Sequence, residues 1–184
     1  MILSVTDLRQ YVTTDESDQV LEAKLQALEL FIRAYTNNNF QVRAFRAVGV
    51  ANAGVNTIFC NSPIPFRAND TLEITESELM PSALVTVESV EDGAIAVKED
   101  LFDESGVVIT KVSYPKDVQM GVVNLMKWEL DNRDKVGVAS ETISRHSVTY
   151  FDMNGDNATM GYPNALLGFL KPYKKARFGR GIGV

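Results

Sequence analysis

The apolar residues of this chain change their spacing twice, and that change limits the folds open to it. From Asp18 to Thr36, residues Leu21, Leu25, Leu28, Ile32 and Tyr35 recur at intervals of four, three, four and three, the repeat of one helix face. Between residues 42 and 112 the interval falls toward two, with Val85 and Val87 alternating against Thr86 and Glu88, as on a half-buried strand. Pro115 then opens a second helical stretch through about Asn132, carrying Val118, Val122, Val123, Leu125, Met126 and Leu130 on one side; proline is preset for a first helical turn. These spacings predict an α+β chain. Its frame would be mainly α-helical, two long helices plus short terminal ones, with an inserted antiparallel β-sheet or hairpin region and an extended basic C-terminal tail. The predicted boundaries are 1–41 and 114–170 for the helical core, 42–113 for the β-rich insertion and 171–184 for the tail.

Local signals mark the element ends. Thr6 is a candidate N-cap for a short helix over residues 5–12, and Asn37-Asn38-Asn39 stops the long helix because asparagine tolerates a left-handed backbone. Asp92-Gly93, between Val85–Glu88 and Ile95–Val97, is a two-residue hairpin signal. Asp103 to Gly106 predicts the next turn, Val107 to Val112 a strand, and Ile58–Cys60 and Leu72–Ile74 two more. Pro63 and Pro65 point to an edge or loop. Ser147 to Phe151 predicts a short strand, Asn154-Gly155 a turn, and Pro163 to Leu170 a short final helix.

Wound at 100° per residue, the first long helix carries a broad apolar face of Val20, Leu21, Leu25, Leu28, Phe31, Ile32 and Tyr35. Beside it runs a second strip of Ala23, Ala27, Leu30 and Ala34, which leaves Glu22, Gln26, Glu29 and Arg33 as a polar edge. That is wider than one core contact needs. Either the helix is buried within its own domain, or the alanine strip packs on a neighbouring subunit. Met120 and Trp128 fall outside the main arc of the second helix and are second-layer core residues or interface anchors.

At 184 residues, 45% hydrophobic and 23% charged, the chain has ordinary globular usage and the length of one domain. With one cysteine, Cys60, and one histidine, His146, it has no disulfide framework and lacks the soft ligands of a zinc or iron–sulfur centre. A reducing, cytosolic origin is the simplest expectation. Residues 1–7 do not read as a signal peptide, and nothing approaches 18 consecutive apolar residues, so a soluble protein is expected. The net charge of -6 hides a segregation: residues 70–115 hold eleven acids against Lys98 and Lys111, whereas Lys171, Lys174, Lys175, Arg177 and Arg180 stand in a tail without any acid. An acidic middle argues against a general nucleic-acid binder, whose positive charge spreads over a folded face.

Convergent catalytic groups are not apparent. His146 adjoins Ser144, Arg145 and Ser147, but neighbours on a strand point to opposite faces and make no relay. Cys60, beside Phe59, reads as a small core residue. Asp152, Asn154 and Asp156 imitate half a calcium loop, yet Asn157 stands where glycine belongs and Pro163 where the bidentate glutamate belongs. Gly179, Gly181 and Gly183 precede no helix. The dispersed acids from Glu73 to Glu104 read as a solvated sheet face. The chain is thus expected to be no enzyme, with no cofactor and no metal.

Three stretches together give a resemblance. Val5-Thr6-Asp7-Leu8-Arg9-Gln10-Tyr11-Val12, then Asp15-Glu16-Ser17-Asp18 and a helix ending Ala34-Tyr35-Thr36-Asn37, form the first. Tyr114-Pro115-Lys116-Asp117-Val118 through Trp128-Glu129-Leu130-Asp131-Asn132-Arg133 form the second. Gly161-Tyr162-Pro163, Leu166, Leu167 and Leu170, then Lys171-Pro172-Tyr173-Lys174-Lys175-Ala176-Arg177-Phe178, form the third. Their order over residues 1–41 and 114–178 resembles the head-tail connector (adaptor, DNA-packaging or head-completion) proteins of long-tailed bacteriophages. The β insert is longer than the short hairpin of compact members.

The resemblance implies a structural virion protein, a dodecameric ring docked under the portal protein after DNA packaging. The ring would extend the DNA channel and join the head to a stopper or tail protein, without sequence-specific DNA binding or membrane attachment. It implies location in the virion, and in the host bacterial cytoplasm during assembly. Lys171, Tyr173, Lys174, Lys175, Arg177, Phe178 and Arg180 would form a detached portal-docking tail, Ala23, Ala27, Leu30, Ala34, Met120 and Trp128 the subunit interface, and Glu73, Glu76, Glu78, Glu88, Glu91 and Asp92 an acidic channel or rim. The alternative is a nucleic-acid-binding module using the basic aromatic tail.

Overall fold

A computed structural model describes residues 1–60, 66–132, 140–143, 146–149 and 157–176. The chain divides into two units, one formed by Met1 and Asn39–Tyr114, the other by Ile2–Asn38 and Pro115–Val184.

In the first unit, strands β1 (Gln41–Asn52), β2 (Thr57–Cys60), β3 (Thr71–Thr75), β4 (Leu84–Glu91), β5 (Ala94–Val97) and β6 (Glu104–Val112) close into a barrel in the order β1-β2-β5-β4-β3-β6. Every neighbouring pair is antiparallel. This overturns the mainly helical frame expected above: helix makes up only about 36% of the structure, and one of the two units is a six-stranded antiparallel sheet. Closure gives each of the six strands a hydrogen-bonded neighbour on both sides. The alternation read in the sequence follows from the pleat. Ala47, Ala51, Ile58, Leu72, Ile74, Val85, Val87, Ile95, Val97, Val107 and Ile109 all point inward and are buried. The interior of so small a barrel is therefore a packed core and not a channel.

Two glycines shape β1 and β6. Gly49 faces Cys60 across the β1–β2 pair, and a Cβ there would lie 2.8 Å from the Phe59 carbonyl oxygen and 2.9 Å from Cys60 Sγ. Gly106, at φ 78°, is skipped by the register between Gly49↔Val107 and Val50↔Ser105, so it forms a β-bulge. The turn expected over Asp103–Gly106 is thus already strand from Glu104 onward. The Asp92-Gly93 hairpin joins Glu91 to Ala94 with both turn residues at positive φ, the geometry of a type I′ turn.

In the second unit α1 is a single turn, Val5–Leu8, capped by Ser4 rather than Thr6, its Oγ accepting the Asp7 N–H. Helix α2 (Asp18–Thr36) is capped by Ser17 and ends at Asn37 in the left-handed region. Helix α3 (Lys116–Asn132) buries Val118, Val122, Val123, Leu125 and Met126. Its Gly121 is buried so closely against a 3-10 run (Asn164–Tyr173) that a Cβ would lie 2.3 Å from Phe169 Cε2. The final α-helix expected from Pro163 is this 3-10 run. Tyr162 sets its ring 5.5 Å from both Phe31 and Trp128, and its hydroxyl donates to the Glu129 carboxylate at 2.8 Å. Strands β7 (Ser140–Ile143) and β8 (His146–Thr149) pair antiparallel, as do β9 (Ala158–Thr159) and β10 (Tyr162–Pro163).

Candidate functional site

Helix α2 keeps half of the expected polar edge, Glu22 and Gln26, exposed and buries the other half. Glu29 and Arg33, assigned to a polar edge, are 2% and 8% exposed, and Glu29 accepts the Ile2 backbone N–H at 3.1 Å. Ala23, Ala27, Leu30 and Ala34 face outward, Leu30 at 61% exposure. A buried charge is retained only with hydrogen-bonding partners, so the unit has built polar contacts under α2 and left an apolar strip on its outer side. Of the other two interface candidates, Met120 is exposed on α3, while Trp128 is half-buried against Tyr162 of its own unit.

The basic tail is not detached at its start. The Tyr173 hydroxyl donates to the Asp117 carboxylate, 2.7 and 2.8 Å from its two oxygens, and this bond holds the phenol above its ordinary pKa. Asn38 Nδ2 donates to the Tyr173 carbonyl, Asn37 Nδ2 to the Ala176 carbonyl, and the Lys175 N–H to Thr36 O at 2.8 Å. Lys174 Nζ stands 3.7 Å from the centre of the Tyr35 ring, a cation–π contact beside the negative end of the α2 dipole. Asn37 and Asn38, read as helix terminators, thus also hold the tail. Lys171 is exposed; Arg177, Phe178 and Arg180 lie outside the described residues, as do Asp152, Asn154 and Asp156.

The six acidic candidates do not form one surface. Glu73 is fully buried, accepting from Asn39 Nδ2 and Gln41 Nε2 at 2.8 Å each, so it belongs to no channel or rim. Glu76 and Glu78 are exposed on the loop that leaves β3, whereas Glu91 and Asp92 sit at the hairpin on the opposite end of the barrel. Glu88 is exposed within β4.

Strand direction brings three loops to the Glu76 end: 53–56, 76–83 and 98–103. They are tied together. Asn56 accepts the Leu101 N–H and donates to Asp100, Asp103 accepts the Ala53 N–H, and the Phe102 N–H approaches Met80 Sδ at 3.4 Å. Glu104 accepts Ser77 Oγ at 2.5 Å and the Glu78 N–H at 2.7 Å, bonds that hold its carboxyl below its ordinary pKa. Each loop presents one large apolar side chain to solvent: Val55, Leu79 and Phe102, between 57% and 61% exposed. Sequence reasoning missed this trio: Leu79 adjoins the buried Met80 and Phe102 the buried Leu101, so spacing alone does not mark them as exposed, and only strand order brings the three loops to one end.

Cys60 is buried, which raises its thiol pKa. Among the described residues no group of three or more His, Cys, Asp or Glu side chains is placed to hold a metal ion. His146 lies at the start of β8. No protein-family model matches the chain, and no curated protein matches it.

Proposed function

We propose that the chain is a structural subunit of a bacteriophage head-tail connector. Copies would assemble as a dodecameric ring beneath the portal protein, extend the DNA channel and receive a stopper or tail protein. The observation that carries this reading is the outward strip Ala23, Ala27, Leu30 and Ala34 on a helix whose opposite side is already buried. Small side chains let a neighbouring helix approach closely, and one large residue gives that contact an apolar anchor. The ordered resemblance of residues 1–41 and 114–178 supports the same assignment. The tail, pinned through Ala176, then delivers residues 177–184 from a fixed exit point, which lowers the entropy cost of docking them.

The test is cosedimentation with portal-bearing, DNA-filled, tailless heads, comparing the full chain with one ending at Ala176. Cutting at Ala176 spares the Tyr173, Lys174 and Lys175 contacts, so a loss of binding reports on docking and not on unfolding of the strap. Binding by the full chain and a loss on truncation are expected. Failure of both folded forms to sediment with heads overturns the proposal, and tight, salt-sensitive binding to free nucleic acid in its place favours a nucleic-acid-binding module.

A further inference from the structure

Single exposed apolar residues are ordinary on protein surfaces; here three stand on linked loops at one barrel end, the kind of surface that marks an interaction site. Val55, Leu79 and Phe102 emerge from three loops that hydrogen-bond to one another, at the end opposite Gln41 and Val112 where the chain enters and leaves the barrel. The same loops and the first residue of β6 carry Glu76, Glu78, Glu99, Asp100, Asp103 and Glu104 against Lys98 alone. Among the described residues no cation pairs with Glu76 or Glu78. The rim therefore suits a ligand that is both cationic and apolar.

The chain itself contains such a segment. Beyond the anchored Ala176 come eight residues with Arg177, Arg180, Phe178, Ile182 and Val184 and no acid. Fully extended they reach roughly 26 Å. We infer that the apolar acidic rim of one barrel receives residues 177–184 of a second copy of the chain. The arginines meet Glu76 and Glu78 as planar guanidinium–carboxylate pairs, and Phe178 packs on Phe102 and Leu79. This stands independently of the connector assignment; if both hold, the portal competes with a neighbouring rim for the same arm.

The experiment titrates a labelled peptide of residues 177–184 into the chain ending at Ala176. In parallel, sedimentation velocity follows the full and truncated chains over a range of concentrations. The peptide is expected to bind, and the full chain to associate more strongly than the truncated one. F102S with L79S, or E76Q with E78Q, should each weaken peptide binding about tenfold. All four side chains are exposed, so unchanged melting temperatures will certify folding. A full chain that stays monomeric throughout, self-association that survives truncation unchanged, or peptide binding indifferent to both double variants overturns the inference. Sedimentation with heads by the rim variants reads the connector assignment separately.

Discussion

Gly121 in α3 is where helix propensity and packing give opposite answers, and Gly121→Ala measures which wins. In a solvent-facing helix the change would add up to about 1 kcal/mol, because alanine loses less backbone entropy. Here the new Cβ would sit 2.3 Å from Phe169 Cε2 and 2.5 Å from Cδ2. Carbon atoms normally approach to roughly 3.5–4.0 Å, so the ring must retreat by about 1 Å or more. Phe169 is only half-buried and is free to give way, but retreat forfeits its contact with α3. Overpacking of this kind costs about 1–3 kcal/mol. We expect a net loss of about 1–2 kcal/mol, a fall in melting temperature of about 3–6 °C for a chain this long. Circular dichroism melts of a four-member cycle with Phe169→Ala test the cause. With the ring removed the clash vanishes, and Gly121→Ala should turn stabilising. A melting temperature that rises with Phe169 present, or the same loss in both backgrounds, would refute the reasoning.

Gly49→Ala should also destabilise, by about 1–3 kcal/mol, because its Cβ meets a backbone carbonyl at 2.8 Å that cannot rotate away; chemical denaturation should show a lower midpoint. The Cys60 thiol, buried and raised in pKa, should resist an aromatic disulfide reagent at pH 8 until denaturant is added, whereas fast reaction in the native state would contradict its placement. Glu104 is held below the ordinary glutamate value of 4.5 by its bonds from Ser77 and Glu78. A lowered pKa adds stability above the unfolded value that is lost as pH falls through the folded one, so the Glu78 amide resonance should titrate with a midpoint below 4.5. The Tyr173 pKa is raised by its bond to Asp117. That contribution is present below the ordinary value of 10.0 and lost at higher pH, so the strap should loosen only in strong alkali, and Tyr173→Phe should remove the transition.

What was legible in the sequence is what local spacing encodes. The four-three repeat of Leu21 to Tyr35 marks α2, and Asp92-Gly93 marks the β4–β5 turn, because both depend on neighbours within a few residues. Barrel closure was not legible: β1 pairs with β6 some sixty positions later, as in Ala47↔Ile109, and alternation says which side is buried without saying which strand lies alongside. That omission also gave helix too large a share of the fold. The polarity of Glu29, Arg33 and Glu73 pointed to solvent, yet all three are buried, since burial of a charge depends on partners supplied by distant segments. The tail read as a free arm for the same reason: the asparagines and Asp117 that hold it look like ordinary cap and first-turn residues.

Closure has a consequence for how the protein is made. Strand β1 acquires its second neighbour only when β6 is complete at Val112. During synthesis some sixty residues must leave the ribosome while the outer row of β1 amides and carbonyls stays open to any strand nearby. Two nascent chains on one message could cross-pair in that interval, before β6 covers that side of β1. Slow elongation between residues 52 and 112 should therefore lower the yield of soluble protein, and rapid elongation or an early-acting chaperone should restore it.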